Sequence, residues 1–107
     1  MPDFASIDMR VGTVLTAVPF PEARKPSFKL TIDFGPELGV KRSSAQLTAH
    51  YAPDDLVGRQ IVAAVNLGTR RIAGFESEVL VLGACETVTE VVLLSVERAV
   101  PDGTRIS

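Results

Sequence analysis

Leu47–Ala84 reads LTAHYAPDDLVGRQIVAAVNLGTRRIAGFESEVLVLGA, and its order of elements decides the fold. Ala52-Pro53-Asp54-Asp55 is a helix start: proline suits the first turn, where its missing N–H is not needed, and the acids suit the positive end of the helix dipole. Gly58 ends that helix, and Gln60–Val65 is apolar and β-branched enough to be a buried strand. The polar cluster Asn66, Thr69, Arg70 and Arg71 follows where the strand leaves the core. Gly74 breaks the loop, and Val79–Leu82 returns as a second buried strand. Side chains at a strand exit, held by a rigid sheet yet facing solvent, are the usual mount for a binding site.

Toward the N-terminus, Phe28–Phe34 alternates without fault: Phe28, Leu30, Ile32 and Phe34 face a core, while Lys29, Thr31 and Asp33 face water or a ligand. Gly35–Gly39 is a turn joining this strand to Val40–Leu47, whose end (Ser43, Ser44, Gln46) is unusually polar. Pro19, Pro21 and Pro26 break regular structure and leave an exposed loop with Glu22, Arg24 and Lys25. Met9–Val18 is a strand in which Gly12 predicts a bulge or tight bend. Met1–Asp8 reads as a short helical turn carrying Phe4 and Ile7. Toward the C-terminus, Glu90–Val96 is a last buried strand, and Pro101-Asp102-Gly103 is a turn in a tail that folds back or reaches a partner. Five or six strands with only short helices favour a small all-β barrel.

The chain has 107 residues, the size of a single domain spanning 1–107, and such a domain buries about 65% of its unfolded surface. Apolar residues make up 46%, more than a small barrel core needs, an excess that a subunit interface would use. Charged residues are 22% and the net charge is −2, which excludes a disordered segment and argues against an indiscriminate nucleic-acid binder. The basic residues nevertheless fall in pairs, Arg24-Lys25, Lys41-Arg42 and Arg70-Arg71, beside strand ends. No apolar run reaches membrane-spanning length, and the N-terminus lacks the pattern of a signal peptide. A single cysteine, Cys85, makes no intramolecular disulfide and agrees with a cytoplasmic location.

Catalysis is not expected. One histidine and one cysteine assemble neither a Cys/His metal site nor a supported Cys-His pair. His50 reads as a structural or surface histidine, Cys85 as a small apolar residue, and the dispersed glycines form no phosphate-cradling loop. No cofactor or metal is implied. Two binding modes stay open. Basic pairs with Ser44, Gln46, Asn66 and Ser77 suit phosphates, 2′-hydroxyls and bases, although aromatics are scarce and only Phe75 and Phe20 are candidates for an exposed ring. Apolar Phe75, Phe20, Ile72 and Leu67 beside the same polar groups suit an extended polypeptide.

The ordered series Asp8-Met9-Arg10-Val11-Gly12, His50–Gly58, Asn66-Leu67, Arg70–Gly74 and Ser77 resembles the tRNA-binding domain family, OB-fold modules that stand alone or are appended to methionyl- and phenylalanyl-tRNA synthetases. The resemblance covers essentially the whole chain and implies a five-stranded OB-fold β-barrel with short helices and terminal extensions. Ser43–Leu47 and Ser77–Gly83 depart from the Ser-Gly-Leu and Ser-x-Gly-Met segments of tRNA-binding members. Ala45 adds a methyl, and Glu78 puts a carboxylate near the ligand face. These departures resemble a free-standing branch of the family described as an export-related chaperone. The resemblance implies that this branch binds precursor polypeptides and passes them to the secretion ATPase, with tRNA binding on the same face as the alternative. Ser44, Gln46, Asn66, Arg70, Arg71, Phe75 and Ser77 form the expected ligand set, and Arg24, Lys25, Lys41 and Arg42 a wider basic footprint. The resemblance also implies a homodimer whose interface uses Phe4, Ile7, Met9, Val100, Pro101 and Ile106.

Overall fold

The computed structural model describes residues 6–87 and 90–107, so Phe4 lies outside the described residues. In chain order the elements are β1 (Met9–Pro19), β2 (Phe28–Asp33), α1 (Gly35–Leu38), β3 (Val40–Ala45), α2 (Pro53–Leu56), β4 (Gln60–Ala64), β5 (Arg70–Ile72), β6 (Phe75–Ser77), β7 (Leu80–Val81), β8 (Gly83–Thr87) and β9 (Glu90–Leu93). The main sheet has five strands in the order β3-β2-β1-β4-β7, all neighbours antiparallel. Its two ends meet through side chains and backbone. The Glu78 N–H donates to the Arg42 carbonyl at 2.8 Å, the Ser43 hydroxyl donates to the Val79 carbonyl at 2.9 Å, and the Ser44 N–H donates to Ser77 Oγ at 3.0 Å. These bonds turn the sheet into the nearly closed, OB-fold-like barrel that the resemblance implied. Two hairpins, β5–β6 and β8–β9, attach outside it.

The alternation of β2 is realised in full: Phe28, Leu30 and Ile32 are buried while Lys29, Thr31 and Asp33 are half-exposed. Phe34, Val14, Leu47, Leu56, Ile61, Ala63 and Val79 complete the core with them. β4 is buried from Ile61 to Ala64, on both faces, which explains its unbroken apolar run. Leu56 is completely buried, so α2 is anchored in the core by this side chain. Its first turn is fixed by Asp55, whose carboxylate accepts the Ala52 N–H at 2.9 Å.

The strand irregularity of β1 sits between Val14 and Thr16, where the register against β2 shifts, rather than at Gly12. Gly12 serves close packing instead. A Cβ there would lie 2.7 Å from Ile32 Cγ2 and 2.8 Å from the Phe34 ring. Gly35–Leu38, expected as a plain turn, forms one helical turn. Asp33 accepts the Gly35 N–H at 2.8 Å, Pro36 fits the first turn, and Gly39 leaves it at φ 75°. The expected last strand, Glu90–Val96, ends at Leu93 and is only half-buried. It pairs with β8 rather than joining the main sheet as a strand. Val91 and Leu93 pack against the core while Val92 and Leu94 face out, and the Val62 N–H of β4 donates to the Leu94 carbonyl at 3.3 Å.

The C-terminal tail lies along β1. The Gly103 N–H donates to the Val11 carbonyl (2.7 Å), the Val11 N–H to Thr104 (2.9 Å), and the Ile106 N–H to Met9 (2.9 Å), so the tail runs as an extra strand along the edge that β2 leaves free. Gly103, at φ 90°, brings the turn so near α1 that a Cβ would sit 2.5 Å from the Phe34 carbonyl oxygen. Gln60 clamps the tail from the other side, donating to the Val100 carbonyl at 2.7 Å and accepting its N–H at 3.1 Å. At the N-terminal end, Arg10 binds Asp8 at 2.7 Å. That hydrogen bond raises the Arg10 pKa above its ordinary value against the opposing effect of desolvation. Of the expected interface residues, Ile7, Met9, Val100 and Ile106 are half-buried and Pro101 is exposed.

Gly12→Ala forces the added methyl against Ile32 and Phe34, both buried. Overpacking of this kind costs about 1–3 kcal/mol. The thermal midpoint is expected to fall by at least several degrees, checked by circular dichroism.

Candidate binding groove

Once the barrel closes, the end of β3, the loop after β1, the β5–β6 hairpin and the β7–β8 segment surround an open groove of about 670 Å³. Each wall has a local cause. The loop is self-supporting: the Phe20 N–H donates to the Ser27 carbonyl at 3.1 Å and the Ser27 hydroxyl to the Lys25 carbonyl at 2.9 Å, which leaves Arg24 and Lys25 exposed at the rim. A second wall is β5, which brings Arg70 and Ile72 to the groove. It turns into β6 through Ala73 (φ 46°) and Gly74 (φ 81°), the paired positive values of a two-residue hairpin turn whose twist matches its strands. Leu80, Val81, Leu82 and Val91 form an apolar floor, and Ser44 and Gln46 supply polar groups at the β3 end.

The two banks are tied together behind the groove. Phe75 of β6 packs edge-on against Phe20, with centroids 5.5 Å apart and planes at 66°. Lys29 Nζ lies 4.7 Å from the Phe20 centroid and 5.4 Å from that of Phe75, and the Arg42 guanidinium lies 5.5 Å from the Phe75 ring. Phe20, a candidate for an exposed ring, is instead only 3% exposed. Arg42 is also held by Glu76 (3.4 Å) and Glu78 (3.5 Å), so its charge is compensated.

The expected ligand set thus divides. Ser44, Gln46 and Arg70 line the groove, together with Arg24 and Lys25 of the wider basic footprint. Arg71 is exposed on the same short strand but does not line it, and Phe75 is half-buried in the ring pair. Asn66 is a latch: its Oδ1 accepts the Asp8 N–H at 2.9 Å and its Nδ2 donates to the Ser6 carbonyl at 2.7 Å. Ser77 is 8% exposed, and its hydroxyl oxygen accepts the Ser44 N–H, anchoring the hairpin to β3. Lys41 and Arg42 lie outside the groove lining. The apolar floor escaped the sequence reading because Val79–Leu82 is apolar throughout. Such a run looks the same whether both faces are covered or one opens on a groove, and Leu80 is in fact 50% exposed.

Among the described residues, no group of three or more His, Cys, Asp or Glu side chains is placed to hold a metal ion. His50 faces Glu90 at 4.0 Å, on the exterior. No helix among the described residues is long and apolar enough to cross a membrane. The arrangement offers hydrogen bonds, positive charge and apolar contact to an elongated ligand.

The family model described as "Putative tRNA binding domain" matches residues 9–105. The structure is similar to that of the chaperone CsaA from Bacillus anthracis, with a TM-score of 0.94 and 53% identity, covering 100% of this chain and 99% of that one. It is also similar to the CsaA chaperone protein of Picrophilus torridus, with a TM-score of 0.90 and 46% identity, over 98% and 95% of the two chains. In sequence, 104 residues are 38% identical to the methionine–tRNA ligase of Methanococcus aeolicus. That match covers 97% of this chain, which spans 15% of the ligase's length.

Phe75→Ala removes the ring pair that joins the banks, at an expected cost of about 1–2 kcal/mol. Hydrogen exchange should quicken in Arg70–Ser77 and in the Phe20–Ser27 loop, while β1, β2 and β4 keep their protection. Phe75→Leu should lie in between.

Proposed function

Because the chain belongs to the tRNA-binding domain family, we propose that it is a CsaA-type chaperone, a binding module without catalytic chemistry whose groove holds extended, unfolded polypeptide. The observation that carries this reading is the groove's floor. Leu80, Val81, Leu82 and Val91 present apolar surface beside Ser44 and Gln46, whose side chains are able to bond a peptide backbone. No aromatic ring lines the groove among the described residues, so stacked bases find no platform there. The finer assignment follows the resemblance: a cytoplasmic holder of precursor polypeptides that delivers them to the secretion ATPase. It acts as a homodimer through Ile7, Met9, Val100, Pro101 and Ile106. The adjacency of Met9 and Ile106, joined by a backbone hydrogen bond, supports one shared terminal surface for that contact. Two copies would engage one client chain at two grooves and gain avidity.

A second reading, a tRNA-binding module, is favoured by one specific feature: Arg24, Lys25 and Arg70 gather at the groove with no carboxylate lining it.

The two readings part in a binding assay against an unfolded precursor polypeptide and mixed tRNA over a salt series. Polypeptide binding should survive high salt, because apolar burial is not screened. Leu80→Ser should weaken it about tenfold by removing floor contact. Tight tRNA binding that collapses with salt and with Arg24→Ala/Arg70→Ala, alongside unchanged polypeptide binding by Leu80→Ser, would favour the RNA module.

A further inference from the structure

The positive charge of the groove is confined to its two banks and is uncompensated. Arg24 and Lys25 stand on the loop bank and Arg70 on the hairpin bank, with no acid among the lining residues. None of the three belongs to an ion pair among the described residues, whereas Arg10, Arg42 and Arg98 each have a carboxylate within 4 Å. The chain as a whole carries 13 acids against 11 Lys and Arg, so unpaired cations collect here against the overall balance. Like charges gathered in one groove repel one another, and an anionic occupant relieves that repulsion. The same groove carries apolar surface, with Leu80 50% exposed and Ile72, Val81 and Val91 half-buried.

We infer that the groove selects extended polypeptide segments in which a short apolar stretch is flanked by Asp or Glu. The inference rests on the polypeptide-binding reading above and names its substrate class. An extended segment sends successive side chains to opposite faces, so alternate apolar residues meet the floor. Flanking carboxylates then meet Arg24, Lys25 and Arg70, where arginine offers paired N–H donors to both carboxylate oxygens. A nucleic-acid strand fits this layout less well. It places a phosphate at every nucleotide, including over the apolar floor, and its bases have no free ring to stack on because Phe20 and Phe75 pack against each other.

The test uses the full chain and three dye-labelled peptides with the same Leu-Val-Leu centre, flanked by Glu, by Gln or by Lys, read by fluorescence anisotropy at low and high salt, with mixed tRNA as competitor. The Glu-flanked peptide should bind about tenfold more tightly than the Lys-flanked one at low salt. High salt should narrow that gap without abolishing binding. The triple variant Arg24→Glu/Lys25→Glu/Arg70→Glu, all at exposed positions, should reverse the order while keeping its thermal midpoint. Equal affinities, or a preference for Lys flanks, would overturn the inference and leave the chaperone reading standing, since peptides still bind. Binding of none of the three peptides would overturn both, and salt-sensitive tRNA binding in that case would identify nucleic acid as the occupant.

Discussion

The hydroxyl of Ser43, fully buried, donates to the Val79 carbonyl 2.9 Å away, and on this contact between the first and last parts of the sheet the rest of the molecule depends. A buried hydroxyl or carbonyl left unpaired costs about 1–3 kcal/mol, so the bond fixes which carbonyl β3 must face. Ser44 N–H to Ser77 Oγ and Glu78 N–H to Arg42 carbonyl extend the same seam one residue on either side. No buried side-chain nitrogen or oxygen among the described residues lacks a partner. Polar residues in a strand otherwise facing an apolar core are thereby accounted for: they close the barrel where ordinary ladder pairing runs out.

The groove is a consequence of that seam. Anchoring Ser77 places the β5–β6 hairpin, which carries Arg70 and Ile72 to one bank, and Phe75, beside the hairpin turn, meets Phe20 at the root of the loop that carries Arg24 and Lys25. One wall is therefore positioned by hydrogen bonds and the other by ring packing, so the groove-lining residues come from rigid supports although they sit on short, exposed segments. Glu76 and Glu78 take part by neutralising Arg42, which separates the compensated cation behind the hairpin from the uncompensated ones in the groove.

Much of the barrel was legible from local pattern. β2 alternates, β4 is a continuous apolar run bounded by Gly58 and Asn66, and Pro53 with Asp55 announces a helix start. Each signal is set by neighbours within a few positions. The groove was only partly legible because its lining comes from segments between Ala23 and Val91 that meet after closure. Asn66, Ser77 and Phe75 illustrate the ambiguity. An amide or hydroxyl at a strand exit has the same local sequence whether it bonds a ligand or the chain's own backbone, and here Asn66 bonds Ser6 and Asp8 while Ser77 bonds Ser44. Phe20 sits among prolines that suggest exposure, yet its ring finds Phe75, a partner 55 positions away in the chain. The terminal turn at Pro101-Asp102-Gly103 was visible, but its docking on β1 needed the free edge that β2 leaves.

The central claim is that the groove between these banks is where an unfolded polypeptide sits. Backbone amide shifts of isotope-labelled protein, followed by NMR as an unfolded precursor is titrated in, test it most directly. The account predicts that the perturbed amides map to Ala23–Lys25, Ser44–Leu47, Arg70–Ile72 and Leu80–Gly83. Perturbation confined to the outer face of β8–β9 around Val92 and Leu94, with the groove amides unmoved, would contradict it.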